Sequence, residues 1–578
     1  MRKIKRVIGY TLGIAMVLIA AIFLLNLHLT KRLERYLRKE LIHRTAEATD
    51  GFYRLSFDNL SISFFKGELT LEGIKLCPDS VVFRDWERKD SLPSVYVTAE
   101  VGMVDFKGLN LTWRRSYKQL HFDSFEIRNP DIQVFNPYYS TRAEVKERKE
   151  AEIKTLYEVV SPYINVLTVR ILNLENASVS YSVENPVSPI VYALNDVSFH
   201  AYGFRLDENS SESGKLLYCD NFDFITKRSQ TLLTNNDFRL QTDRILLSTE
   251  DSIISISNIT LTPQGELWGE QKKRPDSYLN ALIRAIEVKG IQFRRENALN
   301  YLTARSLDII SSDIQAFNLA GESLPSAKKT EKKSLNEAEA DSLVRSLSLY
   351  ELISPVLHTV SIGTVGIGQA KLQYSFAVKD KIEVYKLANF DFQANDFRID
   401  SVSETQRGFW YSRGFSFEAT GIEGLMTARN HRFTVKRMTL DTESGDFNLE
   451  RIRLYPLSVC GQNDYMAGSI DTVGIRGLLY DKGISARLLK IDRPNLRYVL
   501  VSSFNKKDVK SVKPANSRVD VESILNPFLR YFSVKRLSLN HAYVTIDDKS
   551  MSDPVTYKLN DFNFFATGIW VNRQTGKG

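Results

Sequence analysis

A long internal repeat constrains the fold of this chain more than any other feature of its sequence. Residues 157–263 align with residues 350–456 at a constant offset of 193 residues, without a gap. A third copy begins at an offset of 172 residues from the second, aligns Tyr557 with Tyr385, and runs to the end of the sequence. Self-similarity at a fixed period is the signature of a repeat array. We therefore predict one structural unit that is built twice and begun a third time.

Within each copy the apolar residues recur with a period of two. The segments VSFHAYGFRLD, FDFQANDFRID and FNFFATGIWV alternate apolar and polar residues until the pattern slips at Gly203, Asp396 and Gly568. Such alternation predicts a strand with one apolar and one polar face. The slips predict bulges or tight turns, which Gly and Asp tolerate. Turn-like clusters separate the runs about every ten residues, so we predict short strands in an antiparallel meander.

One helical pattern precedes each copy, at residues 142–161, 335–354 and 519–531. In the first of these, Ile153, Tyr157 and Val160 lie on one stripe of a helix. One helix per repeat cannot cover a whole sheet face. The predicted fold class is therefore mostly β: a long, curved, antiparallel β-groove built from repeats, with one amphipathic helix before each repeat. The alternative is that the apolar faces close on each other as sandwiches in a plain structural protein.

The first 30 residues have the pattern of a membrane anchor. A basic amino-terminus is followed by an uncharged apolar run at 7–29, long enough to span a bilayer as a helix. A cleaved signal peptide is the alternative, but its apolar core is normally shorter and ends at a small-residue site. We predict an uncleaved transmembrane helix at 1–30. Basic residues flank both ends, so the orientation, amino-terminus inside and body exported, is inferred from the short head and large body.

The rest of the chain divides at polar linkers. The phrase FEIRNPDIQVF at 125–135 returns as LDIISSDIQAF and LKIDRPNLRYV, and it closes each unit. Because the third copy stops early, we expect the sequence to be a fragment of a longer array or a truncated reading frame. We predict a basic juxtamembrane helix at 31–50, either along the headgroups or as a solvated linker, followed by a partial β-groove unit at 51–141, β-groove repeats with leading helices at 142–325 and 326–512, and the truncated start of a further repeat at 513–578.

The anchor, the segment LSFDNLSISFFKGELTLEGIKL after it, and the closing phrases IRNPDIQVF and IDRPNLRYV together resemble the AsmA-like family. That family belongs to the repeating β-groove, or bridge-like lipid transfer, proteins. The resemblance implies a taco-like groove with an apolar concave face, anchored in the inner membrane of a double-membraned bacterium and projecting into the periplasm. It also implies phospholipid as cargo, or a part in outer-membrane assembly with envelope proteins. The helices before each unit depart from the simplest family pattern.

Catalytic and metal-binding signatures are missing from the sequence. The seven histidines are isolated, without HExxH or paired ligand spacing, and no nucleophile elbow, P-loop or dinucleotide fingerprint occurs. Three cysteines that lie far apart do not make a disulfide framework, although one disulfide remains open. The net charge of +8 is spread beyond the amino-terminus, and the aromatic residues fall at strand spacing, which disfavours nucleic acid. We predict no enzyme activity, no cofactor and no metal.

The repeated apolar face is the candidate binding surface. Exposing an acyl chain to water costs about 0.8 kcal/mol per CH₂, so a lipid carrier needs a continuous apolar lining. We predict that the protein conducts phospholipid between membranes or supports outer-membrane homeostasis. The alternative is a scaffold or chaperone that guides outer-membrane β-strands by edge pairing. The predicted lipid-contacting residues are Phe199, Phe222, Phe224, Phe392, Phe415, Phe417 and Phe564.

Overall fold

The structure is a computed structural model of the chain, and it is mostly β. It describes residues 31–63, 66–89, 92–93, 95–114, 117–137, 157, 161, 164–184, 190–210, 215–233, 238–263, 277–296, 299–318, 358–378, 381–403, 411–427, 430–458, 464–480, 484–501, 531–549 and 553–572. Two compact units are present. Unit 1 comprises Met1–Thr260, Gln264–Leu267 and Ile291–Arg295, and unit 2 comprises Leu261–Pro263, Trp268–Gly290 and Glu296–Gly578.

The strands of unit 1 follow one another mostly as antiparallel neighbours. They are β1 (Tyr53–Ser56), β2 (Asn59–Ser63), β3 (Glu68–Pro78), β4 (Tyr96–Lys107), β5 (Asn110–Arg114), β6 (Tyr117–Pro137), β7 (Val166–Glu184), β8 (Ile190–Leu206), β9 (Asn221–Thr226), β10 (Arg228–Leu233), β11 (Phe238–Thr242), β12 (Arg244–Ser248) and β13 (Ile253–Pro263). The last three residues of β13 are grouped with unit 2.

Unit 2 contains the remaining strands. They are β14 (Ser277–Lys289), β15 (Gln292–Glu296), β16 (Leu299–Asn318), β17 (Thr359–Val378), β18 (Lys381–Ile399), β19 (Gly414–Met426), β20 (His431–Asp441), β21 (Asp446–Pro456), β22 (Tyr465–Arg476), β23 (Leu479–Tyr480), β24 (Ile484–Asp492), β25 (Asn495–Leu500), β26 (Tyr531–Asp548) and β27 (Val555–Asn572), with most of β15 grouped with unit 1. Strands β7, β8 and β13 recur as β17, β18 and β21 at the offset of the sequence repeat.

The prediction of a purely antiparallel meander of short strands is wrong at the junctions between repeats. Strand β6 pairs with β7, β16 with β17, and β24 and β25 with β26, all in parallel. Strands beside these junctions reach 21 residues. A parallel pair needs a crossover connection of a dozen or more residues, and the polar linkers at 138–165, 319–358 and 501–530 provide that length. The parallel pairing therefore requires each linker. The segment that closes each unit lies in the strand that pairs with the first strand of the next repeat.

The predicted slips in the strand pattern are confirmed as backbone irregularities. Gly203, Asp396 and Gly568 have φ values of 64°, 52° and 69°, a left-handed conformation that Gly adopts without steric cost and Asp tolerates. A second set was not predicted from the sequence, because its members share no residue type: Asn176, Gln369 and His541 occupy equivalent positions with φ values of 53°, 56° and 51°. The strand pairs bulge at those points.

A helix (α1) spans 31–48, within the segment for which the sequence predicts one. It contacts the edge of the sheet in unit 1. Arg38 donates hydrogen bonds of 3.0 Å to two backbone carbonyls of the β1–β2 turn, and Glu34 accepts one of 3.1 Å from the backbone N–H of Ile62. An edge strand exposes unpaired backbone groups, so α1 covers part of this edge.

A second helix, α2 (Ser80–Arg88), interrupts the segment in which the sequence predicts only strands. The Asp79 carboxylate caps its amino-terminus by accepting backbone hydrogen bonds, as Asp commonly does. Phe83 and Trp86 then pack on Phe52, with ring centroids 6.3 Å and 4.9 Å apart. The N-cap and the spacing of Phe83 and Trp86 were the sequence signals for this helix.

Several predicted elements lie outside the described residues. These are the amino-terminal span at 1–30 and almost all of the helices at 142–161, 335–354 and 519–531. Tyr531, the last residue of the third predicted helix, is in strand β26 instead. Within the described ranges, no helix has both the length and the apolar character needed to cross a membrane.

A recurring turn after the second strand of each full repeat holds an aspartate between a serine hydroxyl and an arginine. Asp400 accepts a hydrogen bond from the Ser403 hydroxyl and pairs with Arg398 at 2.6 Å; Asp207 has the same partners, Ser210 and Arg205, one repeat earlier. The Ser403 bond, with a backbone N–H and Arg398, lowers the pKa of Asp400. Arg205, then Ser210 and a backbone N–H, lower the pKa of Asp207.

A lowered carboxyl pKa stabilises the folded state above the unfolded pKa of about 3.9, and that stability is lost as pH falls through the folded value. We expect the free energy of unfolding to fall below about pH 4. The double variant Asp207→Asn/Asp400→Asn should be less stable at pH 7 and should lose less stability on acidification. Urea titrations at a series of pH values measure both; an unchanged acid slope in the variant would rule out these turns as the cause.

Candidate functional site

One face of the sheet in unit 2 carries a continuous row of apolar side chains. Residues paired across neighbouring strands project on the same side of a sheet, so each pair extends the row. Phe392 pairs with Ile367 on one side and Phe417 on the other. The complete row crosses eleven strands: Ile286, Ile309, Ile367, Phe392, Phe417, Leu440, Phe447, Ile475, Leu489, Leu537 and Ala566. At about 4.8 Å per strand, the row is about 48 Å long.

Two further apolar rows lie beside the first on the same face, both on the side of the Phe392 row toward the start of β18. One contains Phe390, Ala419, Met438, Leu449, Val473, Ile491, Leu539 and Phe564, and the other Ile314, Leu372, Leu387, Ile422, Val435, Ile452 and Ile470. Every side chain of the Phe392 row is half-buried. The rows thus form a broad apolar face that the described part of unit 2 leaves partly open to solvent.

The opposite face of unit 2 is polar at the intervening positions. Asp391 pairs with Glu418, and Gln393 with Ser416. Across the following strands the rows continue as Thr439, Asn448, Gly474, Lys490 and Ser538, and as Asp441 and Asp446. An ion pair of 2.9 Å joins Glu418 to Arg437 on this face. The two faces therefore differ sharply in polarity, as the period-two pattern predicts.

Unit 1 has the same two-faced construction. Its apolar row crosses nine strands and contains Leu60, Leu71, Val104, Ile127, Leu174, Phe199, Phe224, Leu247 and Ile254. The row at the adjoining positions on the opposite face contains Ser61, Thr70, Asp105, Glu126, Asn173, His200, Asp223 and Ser248. An apolar face thus occurs in each unit considered separately.

The predicted phenylalanines all lie on these apolar faces. In unit 1, Phe199 pairs with Phe224, and its ring centroid lies 5.5 Å from that of Phe222. The equivalent group in unit 2 is Phe392, Phe415 and Phe417, in which the Phe392 and Phe415 centroids are 5.8 Å apart. Phe564 lies on the apolar face of unit 2 opposite Leu539, on the exposed strand β27. The seven residues form two groups and one separate member.

Other residues of the apolar faces were not predicted as contacts. Phe390 lies 5.8 Å from Phe417, and Phe106 stacks on Phe125 at 4.5 Å in unit 1. Most of the missed residues are Ile, Leu and Val. These residues follow the same period-two pattern as the phenylalanines. The pattern could therefore have identified every apolar residue of each strand as a candidate contact.

The charged and reactive groups of the described structure do not form a catalytic site beside these faces. Hydrogen bonding to Asp105, on the polar face of unit 1, raises the pKa of Lys107. Cys219 packs with Ala201 and Phe222, and burial raises the pKa of its thiol to about 11; the thiol is therefore neutral at physiological pH and a poor nucleophile. Within the described ranges, no group of His, Cys, Asp and Glu is arranged to hold a metal ion.

A cavity of about 890 Å³ in unit 2 is lined by residues of both faces. Gly366, Gln393 and Ser416 belong to its polar rows, whereas Ile367 and Phe417 belong to the apolar row. Pockets that bury small apolar ligands are lined mainly by apolar side chains. We therefore take the extended apolar face, and not this cavity, as the candidate site. Comparison of the chain with protein-family models and with curated proteins gives no match.

Proposed function

We propose that this protein binds phospholipid along its apolar sheet faces and conducts it between membranes. The observation that carries the proposal is the Phe392 row: eleven strands, each hydrogen-bonded to the next across the sheet, present an apolar residue at the same level of one face. A plain surface sheet would place polar residues there, because water contacts its outer side. A groove that encloses this face, and anchorage of the body at an inner membrane, are parts of the same proposal.

The size of the face supports a lipid ligand. Exposed apolar patches of soluble monomers seldom exceed a few hundred Å², and larger ones mark interaction sites. Three rows about 7 Å apart on strands spaced at about 4.8 Å cover several hundred Å² in unit 2. A phospholipid transfers many CH₂ groups to such a face, at about 0.8 kcal/mol for each. No single residue carries this energy, so the residues act collectively.

The sequence supports the membrane part of the proposal. The apolar run at 7–29 predicts an anchor, and the described residues of α1, from residue 31, follow it in the chain. The basic side chains of Lys31, Arg35 and Lys39 are exposed on α1, where anionic headgroups attract them. The resemblance to the AsmA-like family adds the inner membrane, the periplasm and outer-membrane homeostasis as the proposed setting.

Photocrosslinking tests the proposal directly. The full chain is reconstituted in vesicles that contain a phospholipid with a diazirine in the middle of one acyl chain, irradiated, digested and analysed by mass spectrometry. We expect adducts on Phe199, Phe392 and Phe417 in addition to the apolar segment at 7–29, whereas the polar-face residue Gln393 should carry none. Adducts restricted to 7–29 would overturn lipid conduction and leave the strand-pairing scaffold as the alternative function.

A further inference from the structure

Tyrosines recur at one end of the apolar faces. Tyr192, Tyr385 and Tyr557 occupy the same position in the three copies. Tyr181 pairs with Tyr192, and Tyr374 with Tyr385. We call these five residues the tyrosine rim. Tyr192 is 43% exposed, Tyr374 40% and Tyr557 59%, so the rim lies at the boundary between the apolar face and water.

On the strands that carry the rim, the residues of the apolar face that follow the tyrosine are all apolar. On β18 the residues of the apolar face are Tyr385, Leu387, Phe390, Phe392 and Ala394, and β8 presents Tyr192, Leu194, Val197, Phe199 and Ala201 in the same order. The bulge in each strand keeps this face in phase. The side chains therefore change from amphipathic to apolar in one direction, and they do so in both units.

The two ends of the apolar face differ in polarity and in access. Beyond Tyr385, the next residue on this face is Glu383, a carboxylate only 5% exposed that accepts a hydrogen bond of 3.3 Å from the Tyr385 hydroxyl. At the other end, in unit 1, Cys219 packs against Ala201 and Phe222 and is 4% exposed. Ser412, its equivalent in unit 2, is 5% exposed. In unit 2 a polar group thus lies beyond the rim, whereas the equivalent residue in unit 1 is Ile190. At the other end, Cys219 and Ser412 are buried.

The dimensions suit an acyl chain that lies along a strand. From Tyr385 to Ala394 the chain advances nine residues, about 30 Å at 3.3 Å per residue. The hydrocarbon part of one leaflet is about 15 Å deep, half of a bilayer core. An acyl chain of about 15 Å that starts at the rim therefore spans about five residues. It ends near Phe390 in unit 2 or Val197 in unit 1, next to Phe392 or Phe199 and well before the covered end.

We propose that the tyrosine rim is the headgroup side of the lipid-binding face, so that phospholipids bind with glycerol and phosphate at the rim and acyl chains directed toward Phe199 or Phe392. This inference depends on the proposed function. Tyr has an apolar ring and a polar hydroxyl and prefers the level of the headgroups in membranes. Along a phospholipid, a polar headgroup is followed by apolar acyl chains. Along each of these strands, an amphipathic tyrosine is followed by apolar side chains in the same order.

The test uses the full chain in vesicles with two photoactivatable phospholipids, one with a diazirine in the headgroup and one with a diazirine at the end of an acyl chain. We expect the headgroup probe to favour Tyr192 and Tyr385 over Phe199 and Phe392 by about tenfold, and the tail probe to show the reverse preference. Tyr202 is the internal control, since it is 44% exposed but lies on the polar face of β8; neither probe should label it.

Each outcome decides a different claim. Adducts of both probes on the apolar faces without this separation, or with the reverse separation, would overturn the assignment of the rim and leave lipid binding standing. Labelling of Tyr202 at the level of Tyr192 would also overturn the rim, because exposure alone would then explain the adducts. The absence of adducts from both faces with either probe would overturn the rim together with the proposed function.

Discussion

Aspartate at both Phe392 and Phe417 is expected to remove phospholipid from the apolar face of unit 2. The two side chains are direct cross-strand partners in the middle of the longest apolar row described. A carboxylate that is covered by an acyl chain loses its hydration and gains no partner, at a cost of several kcal/mol for each charge. Since about 1.4 kcal/mol corresponds to a factor of ten, we expect lipid adducts on β18 and β19 to fall at least about tenfold.

The opposite face supplies a matched control for this double variant. Gln393 and Ser416 are the neighbouring cross-strand pair on the same two strands. Aspartate at both positions introduces the same two charges on the face that we expect to be hydrated. Repulsion between them, and between position 416 and its cross-strand partner Asp441, costs about 0.2–1 kcal/mol for each pair. The control should keep wild-type adducts. Equal adduct yields in the two variants, with both folded by circular dichroism, would contradict the assignment of the binding face.

A single Phe392→Ala substitution should have a much smaller effect. The residue is one of eleven in its row, and two further apolar rows lie beside that row on the same face. Loss of one half-buried ring leaves the face apolar, whereas a charge interrupts it. The contrast between a small effect of alanine and a large effect of the aspartate pair distinguishes collective apolar binding from a pocket with one dominant anchor.

The sequence predicts the two-faced sheet because its apolar residues recur every second position, which is also the period at which side chains alternate between the faces of a strand. Alternate residues of a strand point to opposite sides, so the pattern around Phe199 and Phe392 was enough to put the phenylalanines of each unit on one face. The slips at Gly203, Asp396 and Gly568 were also readable, since few residues adopt positive φ without strain. Those features are local, and local features are what a single sequence encodes most directly.

Features that depend on partners distant in sequence could not be predicted in the same way. The parallel junctions join β6 to β7 and β16 to β17 across linkers of more than twenty residues, and alternation along a strand is the same whether its neighbour is parallel or antiparallel. The length of the linkers was the sequence signal for parallel pairing, because an antiparallel neighbour needs only a tight turn. Helix α2 was not predicted because its nine residues are fewer than an isolated helix needs for stability. Packing of Phe83 and Trp86 on Phe52 stabilises it in the folded protein.

Substitution of Gly363 by alanine is expected to open the junction between β16 and β17. A Cβ at Gly363 would lie 2.8 Å from the backbone carbonyl oxygen of Arg305 on the parallel neighbour, and backbone atoms cannot move aside as a flexible side chain does. Overpacking of this kind costs about 1–3 kcal/mol. We expect the backbone amides of β16 and β17 to exchange with deuterium about tenfold faster or more, since exchange follows the free energy of local opening.

Gly368 on the same strand provides the control. A Cβ there would have only the Asp391 carboxylate nearby, at 3.9 Å, which is ordinary contact. Gly→Ala in a strand without strain reduces the freedom of the unfolded chain and stabilises by about 0.4–1 kcal/mol. Gly368→Ala should therefore slow exchange or leave it unchanged, whereas Gly363→Ala should accelerate it. Acceleration of similar size in both variants would show that the close approach at Gly363 does not hold the junction.

The same junction connects structure to the proposed function, because the apolar row passes from one repeat to the next between Ile309 and Ile367. If lipids move along the row, Gly363→Ala should reduce phospholipid transfer between vesicles without removing adducts from Phe392 and Phe417, which lie on strands beyond the junction. The aspartate pair should reduce both. Reduced transfer with unchanged binding in Gly363→Ala would support a continuous conduit. Transfer at the wild-type rate in a variant whose junction is open would favour a set of independent lipid sites.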